Sequence, residues 1–436
     1  MSDTIFALSS GHPPAAVAVV RLSGPRTRFV VEMMTGSVPS ARVAALRSLR
    51  DPRDGQVIDR GLVLFLPGPG SFTGEDSAEF QLHGGRAVVA ACVKALGALD
   101  GVRVAEPGEF TRRAFENGKM DLTAVEALGD LIAAETEGQR RQAVNGANGA
   151  FARRADGWRS GLLAARAAVE AELDFSDEED VPDSLSAAAF EAARAVLDDM
   201  RGILADALHG ERMRDGFTVA LMGPPNAGKS SLLNALTRRD VAIVTDVPGT
   251  TRDILEVHLD LGGYPVTLVD TAGLREAMDV VEAEGIRRGR RRGAGADLIL
   301  WLSDTGQLAP EDVVAFGVPL IAIRSKADLG GNEDLGSAVL SVSVQDDASI
   351  SRLIDVIAQR ASDGMGGETA LISRERQRRC VEDAATAIQA ALKGGLPLEV
   401  VADSLRRATD AVGRLTGRID VEDVLGSIFS SFCIGK

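Results

Sequence analysis

Nine consecutive residues carry the most specific chemistry in the chain. Gly223-Pro-Pro-Asn226-Ala227-Gly228-Lys229-Ser230-Ser231 fits the spacing GxxxxGK[ST]. In that pattern the glycines permit a tight turn whose amides point at phosphate oxygens, the lysine supplies positive charge and the first hydroxyl ligates magnesium. The loop follows the apolar run 217–222 and leads into LLNAL, so a strand should enter it and a helix leave it. A second acidic group stands in Leu268-Val-Asp270-Thr271-Ala272-Gly273, again after an apolar run. Its carboxylate can hold magnesium through water, and the Gly273 amide can meet a γ-phosphate when the loop is ordered. Together these residues point to a nucleoside triphosphate with magnesium.

The base is specified farther along. Leu320-Ile-Ala-Ile-Arg-Ser325-Lys326-Ala327-Asp328 sets a carboxylate just after another apolar run. The segment resembles the NKxD guanine-reading motif of GTPases, in which the Asp accepts hydrogen bonds from two guanine N–H groups that adenine does not offer in the same arrangement. Guanine is therefore favoured. Serine stands where the motif has asparagine, so one purine contact and a tether to the phosphate loop are expected to be missing. The later loop that completes such sites should fall near Ser341-Val-Ser343-Val, which matches poorly. Many regulatory GTPases place a glutamine just after the Gly273 position to orient the attacking water. Here Leu274 cannot hydrogen-bond water, and Glu282 is a candidate for that task; a solvated helix carboxylate is the alternative.

The elements around these residues follow from length and pattern. At 436 residues the chain should hold two to four domains. A hydrophobic fraction of 45% with 25% charged residues excludes a wholly disordered chain. No stretch of 18 apolar residues occurs, and MSDTIFALSSGHPP lacks the basic start and apolar run of a signal peptide, so a soluble cytoplasmic protein without membrane contact is expected. Cys92, Cys380 and Cys433 show no metal-type spacing. A net charge of -15 argues against non-specific coating of nucleic acid, although arginines cluster at 287–292 and 374–379. Short β-branched runs make residues 1–118 an α+β unit, and apolar spacings of three and four make 119–213 helical, with a helix over about 185–208. Strand and helix signals alternate over 214–370 and end in the Gly-rich segment 363–368; helical periodicity returns over 371–436. The fold class is thus multidomain α/β: an N-terminal α+β domain, then an α-helical domain into which a mostly parallel nucleotide domain is inserted.

The combination GPPNAGKSS, TDVPGTTRD, DTAGLRE and a terminal FCIGK resembles the MnmE family of tRNA-modification GTPases, also called TrmE. The resemblance covers nearly the whole chain, including SFTGED at 71–76, HGG at 83–85 and PGEFTRRAFENGKMDLTAVEA at 107–127. It implies that the N-terminal domain resembles the tetrahydrofolate-binding domains of aminomethyltransferases and forms a homodimer. It implies potassium on Asn226, Thr245, Val247 and Thr250, and magnesium on Ser230 and Thr251. GTP or GDP would be contacted from Asn226 to Ser231, by Thr245, Asp246, Val247, Pro248, Gly249, Thr250 and Thr251, by Asp270 to Gly273, and by Ser325, Lys326 and Asp328. Water activation falls to Glu282. Arg252, Asp253 and Arg275 match loops that reorganise when G domains pair, with ordinary salt bridges equally open. Folate, as 5-formyltetrahydrofolate or another tetrahydrofolate derivative, would meet Arg21, Glu79, Lys119 and Lys436.

The matching C-terminal cysteine makes Cys433 a candidate for the modification chemistry, packing being the alternative; Cys92 and Cys380 read as packing residues, and His83 as part of a turn. The implied activity is potassium-dependent GTP hydrolysis coupled to modification at C5 of the tRNA wobble uridine. A flavoprotein partner resembling MnmG, in a heterotetramer or larger assembly, would carry FAD. A ribosome-assembly or signalling GTPase is the alternative, against which the folate-type domain and FCIGK tail both speak.

Overall fold

The computed structural model describes residues 3–174, 185–239, 241–243, 256–270, 292–329, 339–366, 370–419, 422–430, 432, 434 and 435. The chain divides into two units, residues 1–129 with 413–436, and residues 130–412.

The first unit runs β1 (Thr4–Leu8), β2 (Ala15–Ser23), α1 (Thr27–Thr35), β3 (Ala45–Arg50), β4 (Val57–Leu66), β5 (Ser77–Gly84), α2 (Arg86–Gly97), β6 (Val102–Val104), α3 (Glu109–Glu116) and the start of α4 (Leu122–Ala133). Its sheet has the order β3-β4-β5-β2-β1-β6, antiparallel except for the β1–β6 pair. Alternation along the strands decides what each face carries. Val20, Leu22, Ala78, Phe80 and Leu82 turn toward α1 and α2 and pack with Val30, Val31, Met34, Cys92 and Leu96. Each such large side chain contributes about 2 kcal/mol by leaving water. Arg21 and Glu79 sit between these core positions and opposite each other in the β2–β5 register, so both belong to the other face. Phe110 of α3 packs there with Ile5, Ala7 and Ala105. The chain end returns to this unit: Ile434 bridges Pro107, and Ser9 Oγ donates to the Gly435 carbonyl at 2.9 Å.

The second unit begins with α5 (Glu137–Ala147), α6 (Ala150–Asp174), α7 (Leu185–Ala205) and α8 (Ala207–Asp215). It continues β7 (Phe217–Met222), α9 (Lys229–Thr237), β8 (Glu256–Leu261), β9 (Tyr264–Asp270), β10 (Leu298–Ser303), α10 (Glu311–Val314), β11 (Leu320–Arg324), β12 (Val339–Ser341) and α11 (Asp347–Met365). Then come α12 (Glu375–Ala391) and α13 (Leu398–Thr416); α14 (Glu422–Ser430) belongs to the first unit. The sheet order is β12-β11-β10-β7-β9-β8, parallel throughout except at the β8 edge. Val219, Leu221, Leu268 and Leu300 pack between α9, through Leu232 and Leu236, and α11, through Leu353 and Ile357. The carboxyl ends of β7, β9 and β11 therefore carry the three chemical segments to one edge, where open α/β sheets bind ligands.

Two expectations change, and one cluster is explained. The helix expected over 185–208 is two helices that meet at Asp206. The Gly-rich segment at 363–368 does not break α11 at its start, because Met365 is fully buried in the sheet core and carries the helix past Gly364; Gly366, at φ 62°, ends it. The arginines at 374–379 are engaged in ion pairs: Arg374 with Asp130, Arg378 with Glu211 and Glu382, and Arg379 with Glu375. The run 287–291 lies outside the described residues.

Candidate nucleotide site and an N-terminal cavity

The phosphate loop owes its path to three residues with positive φ, Gly223 at 146°, Asn226 at 61° and Gly228 at 87°. At Gly223 a Cβ would lie 2.1 Å from the Leu302 carbonyl oxygen, so glycine alone lets β7 leave the sheet beside β10. Gly228 caps α9, whose free first-turn amides and dipole favour an anion. Lys229 is buried, and its Nζ donates to the carbonyls of Gly223 at 2.9 Å and Pro224 at 2.8 Å. Burial lowers its pKa from the usual lysine value, and the charge of Asp270 partly offsets this. Asp270 ends β9 directly beside Leu221 of β7. Ser230 Oγ donates to its Oδ2 at 3.3 Å, which brings a hydroxyl and a carboxylate of the kind magnesium takes to one place.

The guanine-reading segment differs from expectation. Ser325 Oγ donates to the Ala227 carbonyl at 2.6 Å, so the serine keeps the tether to the phosphate loop that its substitution for asparagine was expected to remove. The hydroxyl is short, but the backbone of Ser325 is held close by its amide's bond to the Ser303 carbonyl at 3.0 Å. Asp328 Oδ1 accepts from Ser343 Oγ at 2.5 Å, and Ser343 Oγ in turn accepts from the Gln345 amide at 3.1 Å. The segment at 341–344, a poor match by letter, thus orients the carboxylate. Lys326, at φ 55°, has its Nζ 3.3 Å from Asp304.

In the first unit the face opposite the helices holds a cavity of about 240 Å³ lined by Arg21, Glu79, Phe72, Thr73, Ser77 and Thr111, among others. Arg21 Nε donates to Glu79 Oε1 at 3.1 Å, and its guanidinium lies 6.0 Å from the Phe72 ring centroid and 5.9 Å from that of Phe110. A charged pair between aromatic faces suits a flat, polar heterocycle. Lys119 Nζ donates to the Pro69 carbonyl at 2.7 Å and so closes the 67–77 segment onto the turn after α3. The Thr111 hydroxyl is buried with no hydrogen-bond partner among the described residues. Behind the cavity, Ser23 Oγ lies 2.7 Å from both Thr73 Oγ1 and Glu75 Oε2, Glu75 pairs with Arg113 at 3.0 Å, and Arg113 with Glu109 at 3.1 Å.

The structure brings together Asn226 to Ser231, Asp270, Ser325, Lys326 and Asp328 at one sheet edge, and Arg21 with Glu79 at the cavity. Thr245 to Thr251, Arg252, Asp253, Thr271 to Gly273, Leu274, Arg275, Glu282, Cys433 and Lys436 lie outside the described residues. His83 lies within β5, one residue before its end at Gly84, rather than in a turn, and its Nδ1 lies 2.9 Å from Asp59. Cys92 and Cys380 are buried, and burial pushes the Cys92 thiol up to about 12. Sequence reasoning missed Thr111 and Phe72, and placed Ser343 in the right loop without seeing its bond to Asp328. The first two stand within motifs quoted above, EFTRR and SFTGED, but only packing shows that both line one cavity.

A glycine-rich loop between a central parallel strand and a helix, with Lys229, Ser230 and Asp270 converging on it, defines a P-loop nucleoside-triphosphate-binding domain. Residues 4–119 match the family described as GTP-binding protein TrmE N-terminus, and residues 122–433 that described as MnmE helical domain. A tRNA modification GTPase MnmE of Azorhizobium caulinodans is 54% identical over 436 residues, covering 100% of this chain and 99% of its own. Proteins of the same description from Rhodopseudomonas palustris (strain BisB5) and Methylobacterium sp. (strain 4-46) are 50% and 52% identical, each across 100% of this chain and 99% and 100% of their own. The chain belongs to the tRNA modification GTPase MnmE family. Aquifex aeolicus Era bound to GDP·AlF4⁻ is similar at 22% identity over 42% of this chain and 69% of its own, with a TM-score of 0.27, too low to carry an argument.

Proposed function

We propose that this chain hydrolyses GTP in the course of tRNA modification at C5 of the wobble uridine. The observation that carries the reading is the convergence of Lys229, Ser230 and Asp270 on the phosphate loop while Asp328 is held by Ser343. Lys229 neutralises charge on the terminal phosphates, the α9 amides cradle them, and Asp328 selects guanine through its paired N–H groups. Ser230, with Thr251 and the carboxylate of Asp270 nearby, would hold magnesium, which supplies Lewis-acid neutralisation of phosphate charge. Asn226, at the bend of the loop, would hold potassium with Thr245, Val247 and Thr250, and Glu282 would orient the attacking water.

The cavity at Arg21 and Glu79 is assigned to the tetrahydrofolate derivative that provides the one-carbon unit, with Lys119 and Lys436 as the further contacts the family resemblance implies. The guanidinium suits the anionic tail of a folate and the carboxylate its pterin N–H donors. In this reading the functional segments are 1–118, 119–213, 214–370 and 371–436, and the 1–118 domain forms the homodimer. A flavoprotein resembling MnmG performs the redox step with its own FAD, Cys433 takes part in the modification chemistry, and the complex works in the cytoplasm. No helix among the described residues is long and apolar enough to cross a membrane.

The test is nucleoside mass spectrometry of tRNA from a deletion strain complemented with wild type or Lys229→Ala. Wild type should restore the modified wobble uridine and Lys229→Ala should not. Restoration by both would sever hydrolysis from modification, and restoration by neither would remove tRNA modification from the assignment.

A further inference from the structure

The side chain of Ser325 lies under the phosphate loop, buried, with its hydroxyl 2.6 Å from the Ala227 carbonyl across 98 residues of sequence. Its own backbone is fixed by the hydrogen bond from its amide to the Ser303 carbonyl at the end of β10, so the donor has little freedom to follow the loop. The packing is close as well: a Cβ built on Gly228 would stand 3.8 Å from Ser325 Cβ. The Ala227–Gly228 peptide is trans, and in a planar trans peptide the C=O and N–H point in opposite directions. Holding the Ala227 carbonyl down on Ser325 therefore turns the Gly228 amide to the opposite side, away from β11. Asp328, three residues on, is oriented by Ser343 and not by Ser325.

We propose that Ser325 is a positioning residue for the phosphate-binding amides, acting on the Ala227–Gly228 peptide, and that it contributes nothing to recognition of the base. Tethering and base reading are divided here between two side chains of one short segment, Ser325 for the loop and Asp328 for guanine. The consequence is a weakening that does not depend on the base. Removing the hydroxyl leaves a buried carbonyl without its donor and frees the peptide to rotate, which disorders a phosphate donor whatever nucleotide is bound. This inference rests on the reading of the site as one for guanine nucleotides, and the experiment separates the two.

Dissociation constants for GDP and for inosine diphosphate, which lacks the 2-amino group, are measured on full-length wild type, Ser325→Ala, Ser325→Asn and Asp328→Ala. Ser325→Ala should weaken both nucleotides by the same factor, roughly tenfold. Ser325→Asn restores a donor and should recover affinity for both. Asp328→Ala should instead collapse the preference for GDP. A wild type that binds no GDP would sink the guanine reading itself. A Ser325→Ala protein within twofold of wild type for both nucleotides, or weakened for GDP alone, would overturn the inference while leaving that reading intact. If Ser325→Ala does not fold, Ser325→Cys decides: its weak S–H donor should give intermediate affinity for both nucleotides, and affinity equal to wild type would overturn the inference.

Discussion

Glu109 offers a quantitative test of how the N-terminal cavity is held in shape. Its carboxylate accepts from Arg103 at 2.6 and 2.9 Å, from the Glu106 amide at 2.8 Å and from Arg113 at 3.1 Å. Arg113 in turn holds Glu75, and through Ser23 the chain of bonds reaches Thr73 at the cavity wall. Burial by itself would push the carboxyl up, but the bonds from Arg103, Glu106 and Arg113 outweigh it and hold the pKa at about 2 against an ordinary 4.5. A carboxyl lowered in the folded state adds stability that is fully present above its unfolded pKa and disappears as pH falls through the folded one. At about 1.4 kcal/mol per pH unit, the lowering corresponds to about 3 kcal/mol at pH 7 and about 1.4 kcal/mol at pH 3. Glu109→Gln keeps the shape and removes the charge, so its deficit against wild type should be largest at neutral pH and shrink by about half at pH 3. Both tryptophans, Trp158 and Trp301, belong to the second unit, so the readout is hydrogen-exchange protection in peptides covering 103–117, corrected for intrinsic rates. An equal deficit at both pH values would refute the electrostatic account and leave packing as the cause.

Other outcomes follow from single contacts. Gly223→Ala drives a methyl group into the Leu302 carbonyl and should cost about 3 kcal/mol or more, seen as an earlier melt in the fluorescence of Trp301 on neighbouring β10; an unchanged melt would discredit the backbone clash. Thr111→Val replaces a buried hydroxyl that has no partner among the described residues by a methyl group of the same shape and should stabilise the first unit by about 1 kcal/mol in urea unfolding, while weakening 5-formyltetrahydrofolate at the cavity. Glu282→Ala should lower kcat for GTP while leaving the nucleotide Kd near wild type; lost binding would instead make Glu282 a structural residue.

What the sequence determined by itself is the local chemistry. The phosphate loop was legible because its nine residues are contiguous, and their backbone needs (glycine or asparagine where φ is positive, a lysine and a hydroxyl opening a helix) are met within the segment itself. Asp270 and Asp328 were legible for a related reason, since one carboxylate ends an apolar strand and the other stands four residues past one, and both strand ends must lie at the sheet's carboxyl edge. Family resemblance singled out Arg21 and Glu79, but their partnership across 58 residues is set by the β2–β5 register, which no local pattern contains. The tie of Ser325 to Ala227 depends on β11 lying two strands from β7, and the hold of Ser343 on Asp328 on the path of the chain after β12. The return of Gly435 to Ser9 beside β1 is of the same kind. Local spacing controls which residues share a strand face or a helix turn, because those relations repeat every two or 3.6 residues. Contacts between distant segments are decided by strand order, register and packing, and only the folded chain supplies them.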